Sequence, residues 1–251
     1  MSGEGREGGR GGPPGTLGTV RNAVMLLDLL SQGPAHQQLT DLAERSDLSL
    51  PTAHRLLRSL AVAGLVEQDP VSQRYSLGQD LVRLSERYLA RLSVLRGIAP
   101  YLVELRRSLG ETVLAALLTG GWIVYVDRLE GGQDGGIYRE PGRIEPALET
   151  AAGRLLVARG GKRAWVEAAQ NGSPLAAAEL AGLAEAPHLT LTRPPDRWEV
   201  AAPVVSPAGA APAAIAISGS RERNDEDWVR ERVVPSLLRA AEAVSRGLAD
   251  G

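Results

Sequence analysis

The sequence predicts an α+β fold in which three short helices and a β-hairpin precede a larger domain built on a sheet. Two observations indicate the first part. Apolar residues recur at helical spacing up to Leu60, and the segment that follows, "LVEQDPVSQRYSLG", contains a turn and an alternating run. A third observation indicates the second part, because β-rich runs beyond Glu111 alternate with helical patterns and end in a helix. With 251 residues, the chain has room for two ordinary domains.

The first 18 residues are rich in glycine and proline and have almost nothing apolar to bury. This composition predicts a disordered tail. Arg6 and Arg10 leave open a second interpretation, an arm that touches DNA, although Glu4 and Glu7 offset their charge.

Three helices are predicted next. The first is ended by Gly33 and Pro34 and carries one apolar stripe, formed by Val20, Ala23, Val24, Leu27 and Leu30. Thr40 is the predicted N-cap of a short second helix. Ser49 is predicted to cap the third helix, "SLPTAHRLLRSL", which tolerates Pro51 because N–H groups in a first turn lack intrahelical partners.

The hairpin after the third helix is predicted to end at Gly78, and this order of elements is that of a winged helix-turn-helix. A helical pattern from Leu81 then places Arg83, Arg87 and Arg91 on one face. Such a row of charges either faces water or contacts phosphate groups.

The C-terminal part is predicted to open with a hairpin around Gly120-Gly121. Helical patterns at 150–159 and 162–170 follow, then the strands "HLTLT", "WEVAAPVV" and "AAIAISG" and a closing helix from about Asp225 to Leu248. The predicted domains are a disordered tail (1–18), a winged helix-turn-helix (19–79), a linker helix (80–96) and a C-terminal domain (97–251).

Composition narrows the possible functions. The chain has no cysteine, which excludes disulfides and thiolate zinc sites, and its three histidines are far apart, so we expect no metal and no cofactor. No secretion signal or membrane span is recognisable, and a cytoplasmic location is expected. The formal net charge of −2 means that any DNA-binding surface must be local.

The third helix offers such a local surface. Ala53, Leu56, Leu57 and Leu60 share one face at about 100° per residue, while Arg55 and Arg58 point the opposite way with no carboxylate beside them. Val62 also falls on the outer side, where a wing could cover it. Arginine can pair with guanine, and serine or threonine with bases or phosphate, so the outer face suits a major groove.

At this point the chain resembles the IclR family of bacterial transcription regulators. The similarity extends from about Val20 to the C-terminus through "LTDLAERSDLSLPTAHRLLRSLAVAGLVEQDPVSQRYSLG", "GETVLAALLTGGWIVYVDRLEG", "LETAAGRLLVA" and "VAAPVVSPAGAAPAAIAISG". The resemblance implies an N-terminal winged helix-turn-helix, a linker helix and a C-terminal effector-binding domain related to GAF and PAS folds. It also implies dimers that pair through the DNA-binding domains and often assemble into tetramers.

The resemblance also implies which residues contact DNA. The recognition helix becomes Leu50 to Ala63, and the wing supplies a phosphate contact. The predicted DNA-binding residues are Ser49, Pro51, Thr52, His54, Arg55, Arg58, Ser59 and Arg74. Two alternatives stay open: His54 could sit at the seam between helices, and Arg58 could pair with a neighbouring acid.

In the family, the effector binds in a cup formed by the sheet and by the helix that here begins near Thr150. This chain departs from the commonest pattern, with Leu148 in place of His, Glu199 in place of Cys and Ala216 in place of Ser. The predicted effector-binding residues are Leu148, Glu149, Thr150, Ala151, Gly153, Trp198, Glu199, Ala216 and Ser218. A carboxylate at Glu199 would repel a carboxylate ligand unless it is paired or protonated. We therefore expect a neutral or cationic, larger effector, unless Glu199 lies outside the cup.

Together with the resemblance, these features predict a DNA-binding regulator that responds to a small molecule and acts as a dimer or tetramer on a palindromic operator. We expect a repressor rather than an activator. One alternative is an adaptor that keeps the helix-turn-helix for protein contacts. The other is an enzyme in which Glu149 and Glu199 act as an acid and base pair. No nucleophile elbow, P-loop or metal spacing supports an enzyme, so no catalytic residue is predicted.

Overall fold

A computed structural model describes residues 18–132, 143–173 and 175–249. The predicted tail, with Arg6 and Arg10, lies outside these residues except for Gly18. The chain divides into two compact units, one ending at Arg91 and the other beginning at Leu92. Each unit has a hydrophobic core of its own.

The first unit contains four helices and a hairpin among its described residues. Its elements are α1 (Gly18–Ser31), α2 (Leu39–Arg45), α3 (Leu50–Val62), β1 (Val66–Gln68), β2 (Tyr75–Leu77) and α4 (Asp80–Leu89). Their buried side chains form one cluster, made of Leu26, Leu30, Leu42, Leu56, Leu57, Leu60, Val66 and Tyr75. The apolar face of α3 thus packs on α1 and α2, as its periodicity predicts.

The hairpin is fixed to the helices through Gln37. Its backbone N–H donates to the Tyr75 carbonyl, and the Tyr75 N–H donates to the Gln37 carbonyl, both at 2.8 Å. The Gln37 side-chain amide also donates to the Leu29 and Leu30 carbonyls at 3.0 and 3.2 Å. These bonds join β2 to the end of α1, so the wing has a defined position beside the helices.

Three local expectations for this unit are wrong. The buried face of α1 is centred on Leu26, while Val20 and Val24 are 56% and 51% exposed. Gln38 is the N-cap of α2, and Thr40 lies inside that helix. Nothing in the described residues covers Val62, which is 86% exposed.

The second unit is a six-stranded antiparallel sheet with helices on both faces, which confirms the α+β fold class. Its strands are β3 (Thr112–Thr119), β4 (Trp122–Leu129), β5 (Ile144–Pro146), β6 (Leu189–Arg193), β7 (Arg197–Val204) and β8 (Ala213–Ser220). The strand order is β5-β4-β3-β8-β7-β6, so β5 and β6 are the two edges. Each neighbouring pair is antiparallel.

The helices of this unit sit on the two faces of the sheet. They are α5 (Ser93–Leu109), a 3-10 turn (Ala147–Glu149), α6 (Ala151–Arg159), α7 (Gly161–Ala168), α8 (Ala177–Leu183), α9 (Glu226–Trp228), a π-helical segment (Val229–Val233) and α10 (Val234–Gly247). Both α6 and α10 contact β7. Because successive side chains of a strand point to opposite faces, β7 presents alternate residues to α6 and to α10.

The helices and strands of the structure differ from the predicted ones at several places in the second unit and just before it. The helical pattern after Leu81 is interrupted, because α4 ends at Leu89 and α5 begins at Ser93. Strand β5 and helix α8 were not predicted. None of the helices in the described part of the chain combines the length and apolar character needed to cross a membrane.

Candidate DNA-binding surface and effector pocket

The outer face of α3 is an exposed basic surface. Ser49 is the N-cap, with extended backbone, and its hydroxyl donates to the Thr52 hydroxyl at 2.8 Å instead of capping a backbone N–H. Among the predicted DNA-binding residues of α3 and its cap, Thr52 is half-buried and the others are exposed: Ser49, Pro51, His54, Arg55, Arg58 and Ser59. The six exposed side chains and Thr52 together form one outer surface of α3.

Within the described ranges, the arginines of this surface lie without an acidic partner. No carboxylate of the described residues forms an ion pair with Arg55, Arg58 or Arg74. His54 is exposed, so it does not occupy a seam between helices. The charges of these side chains are therefore available to an external polyanion.

The wing brings Arg74 next to the anchored Tyr75. The turn between β1 and β2 is held by Asp69, whose carboxylate accepts from the Val71 and Ser72 N–H groups at 3.1 and 2.5 Å. These bonds, the one from Ser72 first, lower the pKa of Asp69. A rigid turn presents Arg74 as an exposed side chain on the wing.

The pocket of the second unit is built around Glu199. This residue is 2% exposed and lies in β7 facing the start of α6. One carboxylate oxygen accepts from the N–H groups of Ala151 and Ala152 at 2.9 and 3.4 Å. The first N–H groups of a helix lack intrahelical acceptors and carry a partial positive charge, so they favour a carboxylate.

The other Glu199 oxygen accepts from Arg193 at 3.2 Å. Arg193 also bonds to Glu145, which lies in the opposite edge strand β5, and Arg143 pairs with Glu145 at 3.0 Å. The two edges of the sheet are thus joined by one ionic bridge, which requires the sheet to be curled. Burial raises the pKa of Glu199, and Arg193 and the two α6 N–H groups oppose that shift.

The structure brings several predicted pocket residues together. Thr150 is the N-cap of α6, and its hydroxyl accepts from the Gly153 N–H at 2.9 Å. Gly153 packs directly on the Ala147 carbonyl, where a Cβ would overlap it. Ser218 is the cross-strand partner of Glu199. Ala216, two residues earlier in β8, is buried in the same α6-side cluster as Leu148 and Ala151.

Two predicted pocket residues do not face the same way as Glu199. Glu149 is exposed and so does not share the buried position of Glu199. Trp198 borders the pocket, but its indole packs against Trp228, with the ring centroids 6.2 Å apart. It points to the face of the sheet opposite Glu199, because adjacent strand residues alternate between faces.

Sequence reasoning missed the arginines of the pocket. A cavity of about 100 Å³ is lined by Arg128, Arg143, Arg193 and Arg197 together with Glu145 and Glu199. The only signal was indirect, since a buried carboxylate requires a cation or hydrogen-bond donors. Because Glu199 is paired, its charge is compensated, and the argument from repulsion of a carboxylate ligand loses its premise.

Comparison with known proteins decides the family. Family models match residues 19–70 as the IclR helix-turn-helix domain and residues 86–188 as the bacterial transcriptional regulator IclR C-terminal domain. The glycerol operon regulatory protein of Streptomyces griseus is 30% identical over 247 residues, which cover 93% of this chain and 97% of that protein. The chain belongs to the IclR family.

Other IclR-family proteins extend the comparison. The transcriptional regulator XynR of Escherichia coli is 31% identical over 140 residues, which span only 56% of each chain. An IclR transcriptional regulator from Alicyclobacillus acidocaldarius has a TM-score of 0.72 at 24% identity, covering 93% of this chain and 100% of that one. An IclR homologue from Microbacterium hydrocarbonoxydans, solved with 4-hydroxybenzoate, has a TM-score of 0.68 at 19% identity, covering 92% and 98%. These two structures show the shared fold.

Membership of the IclR family makes the chain a DNA-binding, ligand-responsive transcriptional regulator. The relatives are named as regulators and not as enzymes, which confirms the expectation that the chain is not an enzyme.

Proposed function

We propose that the chain is a repressor that binds a palindromic operator as a dimer or tetramer, with α3 in the major groove and the wing on the phosphate backbone. The exposed face of α3 carries this proposal, because Arg55 and Arg58 stand there without acidic partners among the described residues. Repression is consistent with relatives named as regulators of a glycerol operon. We infer a cytoplasmic location, because the proposed target is bacterial operator DNA.

The proposed contacts go to different parts of the DNA. Arg55 lies near the middle of α3 and is assigned to base edges, with Thr52, His54, Arg58 and the other exposed α3 residues beside it. Arg74 on the wing is assigned to phosphate, which positions the protein without reading sequence. Loss of the first contact should relax sequence preference, and loss of the second should weaken binding to all sequences.

Self-association is supported by apolar side chains left exposed in the first unit. Val20 and Val24 of α1 and Val82, Leu84 and Tyr88 of α4 are between 47% and 64% exposed. In the described residues, α4 buries no side chain. Apolar patches of this kind are typical of protein interfaces, and a two-fold dimer would match two half-sites of the operator.

The effector is proposed to bind on the α6 face of the sheet and not to be a simple carboxylate. A carboxylate ligand would have to accept hydrogen bonds from the N–H groups at the start of α6, but the Glu199 carboxylate already accepts them. Four arginines against two glutamates in the lining disfavour a cation. Because Glu199 already fills the anion position at the start of α6, we propose a neutral, hydrogen-bonding effector. The 4-hydroxybenzoate complex of the Microbacterium homologue supports a small-molecule effector in general.

A mobility-shift titration with DNA from upstream of the protein's own gene tests the DNA contacts. We expect Arg55→Ala to lower discrimination between operator and scrambled DNA, and Arg74→Ala to weaken both complexes alike. Arg239→Ala, an exposed arginine of the second unit, is the matched control and should change neither. Equal losses for Arg55→Ala and Arg74→Ala would contradict the assignment. Absence of any shift by folded protein at low salt would favour a protein-interaction adaptor.

Calorimetry tests the effector assignment separately. Tight binding of acetate or glyoxylate to the wild-type protein, unchanged in Glu199→Ala, would show that Glu199 does not occupy the anion position. We expect no such binding to the wild-type protein.

A further inference from the structure

The larger cavity of the second unit lies on the face of the sheet opposite α6. It has a volume of about 540 Å³, within the range of about 300–1,000 Å³ found for small-molecule sites. Its lining includes His188, Thr190, Trp198, Val229 and Val234. It is separated from the Glu199 pocket by the sheet itself, since Trp198 and Glu199 are neighbours on β7 that point to opposite faces.

The floor of this cavity is held in place by fixed contacts. The Trp198 side chain is 4% exposed, and its indole N–H donates to the Ser220 carbonyl at 3.3 Å. Gly219 lies under the indole, where any Cβ would overlap the ring. Trp228 packs beside it at a tilt of 54°. The polar atom of the indole is therefore satisfied by the protein, and the ring contributes an apolar surface to the cavity.

The far wall is formed by the π-helical segment Val229–Val233 and the start of α10. Helical turns of this kind are rare and occur often at functional sites, because the wider turn displaces side chains from the regular helical register. Val229, which lines the cavity, is in this segment, and Val234 follows it directly. This irregularity is a second observation, independent of the cavity volume, that marks the same place.

The charged groups around the cavity are paired with one another within the described part of the chain. Arg221 donates to Glu226 at 3.0 Å and to the Thr192 hydroxyl at 3.3 Å, and Arg230 pairs with Asp227 at 2.7 Å. The charges at the rim are thus compensated. Nδ1 of His188 is enclosed by protein, so the His188 ring offers the cavity a packing surface and not a hydrogen-bonding group.

We propose that this cavity is a second small-molecule site, for a neutral aromatic compound that packs against the His188 ring and the Trp198 indole. The aromatic part would lie on Trp198 and between the side chains of Val229 and Val234. A neutral compound fits because the rim offers no uncompensated charge to an ion. The site is distinct from the effector pocket of the proposed function, since it lies on the other face of the sheet.

Titration of the full-length protein with N-phenyl-1-naphthylamine, a neutral aromatic fluorophore with one N–H group, tests the site. We expect saturable binding with increased probe fluorescence. Thr190→Trp, at an exposed strand position, should fill the cavity and weaken binding at least tenfold, whereas Thr119→Trp, an exposed strand threonine outside the cavity, should not. His188→Ala should weaken binding by about fivefold, because it removes ring surface from the cavity lining. Glu199→Gln should have no effect.

Several results would overturn the site. These are no saturable binding, equal binding by Thr190→Trp and Thr119→Trp, or loss of binding in Glu199→Gln. Sedimentation velocity of Thr190→Trp supplies a further test, because dissociation of the oligomer would show that the cavity is covered by a second copy of the chain. Operator binding by each variant is measured in parallel, so failure of this site is distinguishable from failure of the proposed DNA binding.

Discussion

Replacing Glu199 with alanine or with glutamine should have very different consequences for the second unit. Alanine removes the acceptor of the Ala151 and Ala152 N–H groups and one of the two acidic partners of Arg193. Breaking a buried ion pair from one side costs about 3–5 kcal/mol, because the remaining charge and donors stay buried. Glutamine keeps an oxygen that can accept from α6, and we expect it to cost less than about 1.5 kcal/mol.

Urea unfolding followed by tryptophan fluorescence measures these costs. All four tryptophans lie in the second unit, at 122, 165, 198 and 228, so the signal reports that unit alone. Glu167→Ala is the control, because Glu167 also pairs with an arginine, at 2.9 Å, but on an exposed helix surface. Exposed pairs contribute about 0–1 kcal/mol, and the control should lose no more than that.

Added acetate sharpens the comparison. In Glu199→Ala, acetate can occupy the position of the missing carboxylate, and it should stabilise this variant by about 2.7 kcal/mol at a concentration of one hundred times its dissociation constant. Acetate should stabilise neither the wild-type protein nor Glu167→Ala. Equal destabilisation by alanine and glutamine, or equal stabilisation of all three proteins by acetate, would refute the idea that Glu199 occupies an anion site.

Three further results are expected. Because burial raises the pKa of Glu199, the folded state binds its proton more tightly than the unfolded state does. The stability of the wild-type protein relative to Glu199→Gln should therefore fall as the pH rises from the ordinary glutamate range through the raised pKa. Urea titrations at a series of pH values check this, and a rise in relative stability would contradict it. Leu57→Ala, at a fully buried site in α3, should destabilise the first unit by about 2–5 kcal/mol in far-ultraviolet circular dichroism melts and abolish operator binding at temperatures where that unit is unfolded. Val24→Asp and Leu84→Asp should lower the oligomeric state in sedimentation velocity without unfolding the chain, because both side chains are exposed.

Hydrophobic periodicity predicted the buried face of a helix in the first unit correctly where the opposite face is polar. In α3 the periodic apolar residues Ala53, Leu56, Leu57 and Leu60 are all buried, while Val62 near the end of the helix is exposed. In α1 the run "VMLLDLL" contains two overlapping apolar stripes, and only packing on α3 selects the one centred on Leu26. The hairpin signals before and after Gly120-Gly121 were confirmed because alternation and turn glycines are local features.

The pocket was predictable only in part. The local motif around Thr150 and Gly153 fixes the start of α6, and the position of Glu199 on the sheet follows from strand alternation. Its pairing with Arg193 and, across the curled sheet, with Glu145 depends on which strand edges meet in space. No spacing in the sequence contains that information. Strand β5 is only three residues long, so it gave no periodic signal.

The binding of operator DNA by the exposed face of α3 is tested most directly by fluorescence anisotropy at physiological salt. Labelled duplexes from upstream of the gene are compared with scrambled duplexes, for the wild-type protein and for Arg55→Ala. We expect the wild-type protein to bind its operator at least about 10³-fold more tightly than scrambled DNA, and Arg55→Ala to lose about 1–3 kcal/mol of that discrimination. Equal affinity of the wild-type protein for both duplexes, or full discrimination by Arg55→Ala, would contradict the assignment of α3 as the element that reads DNA.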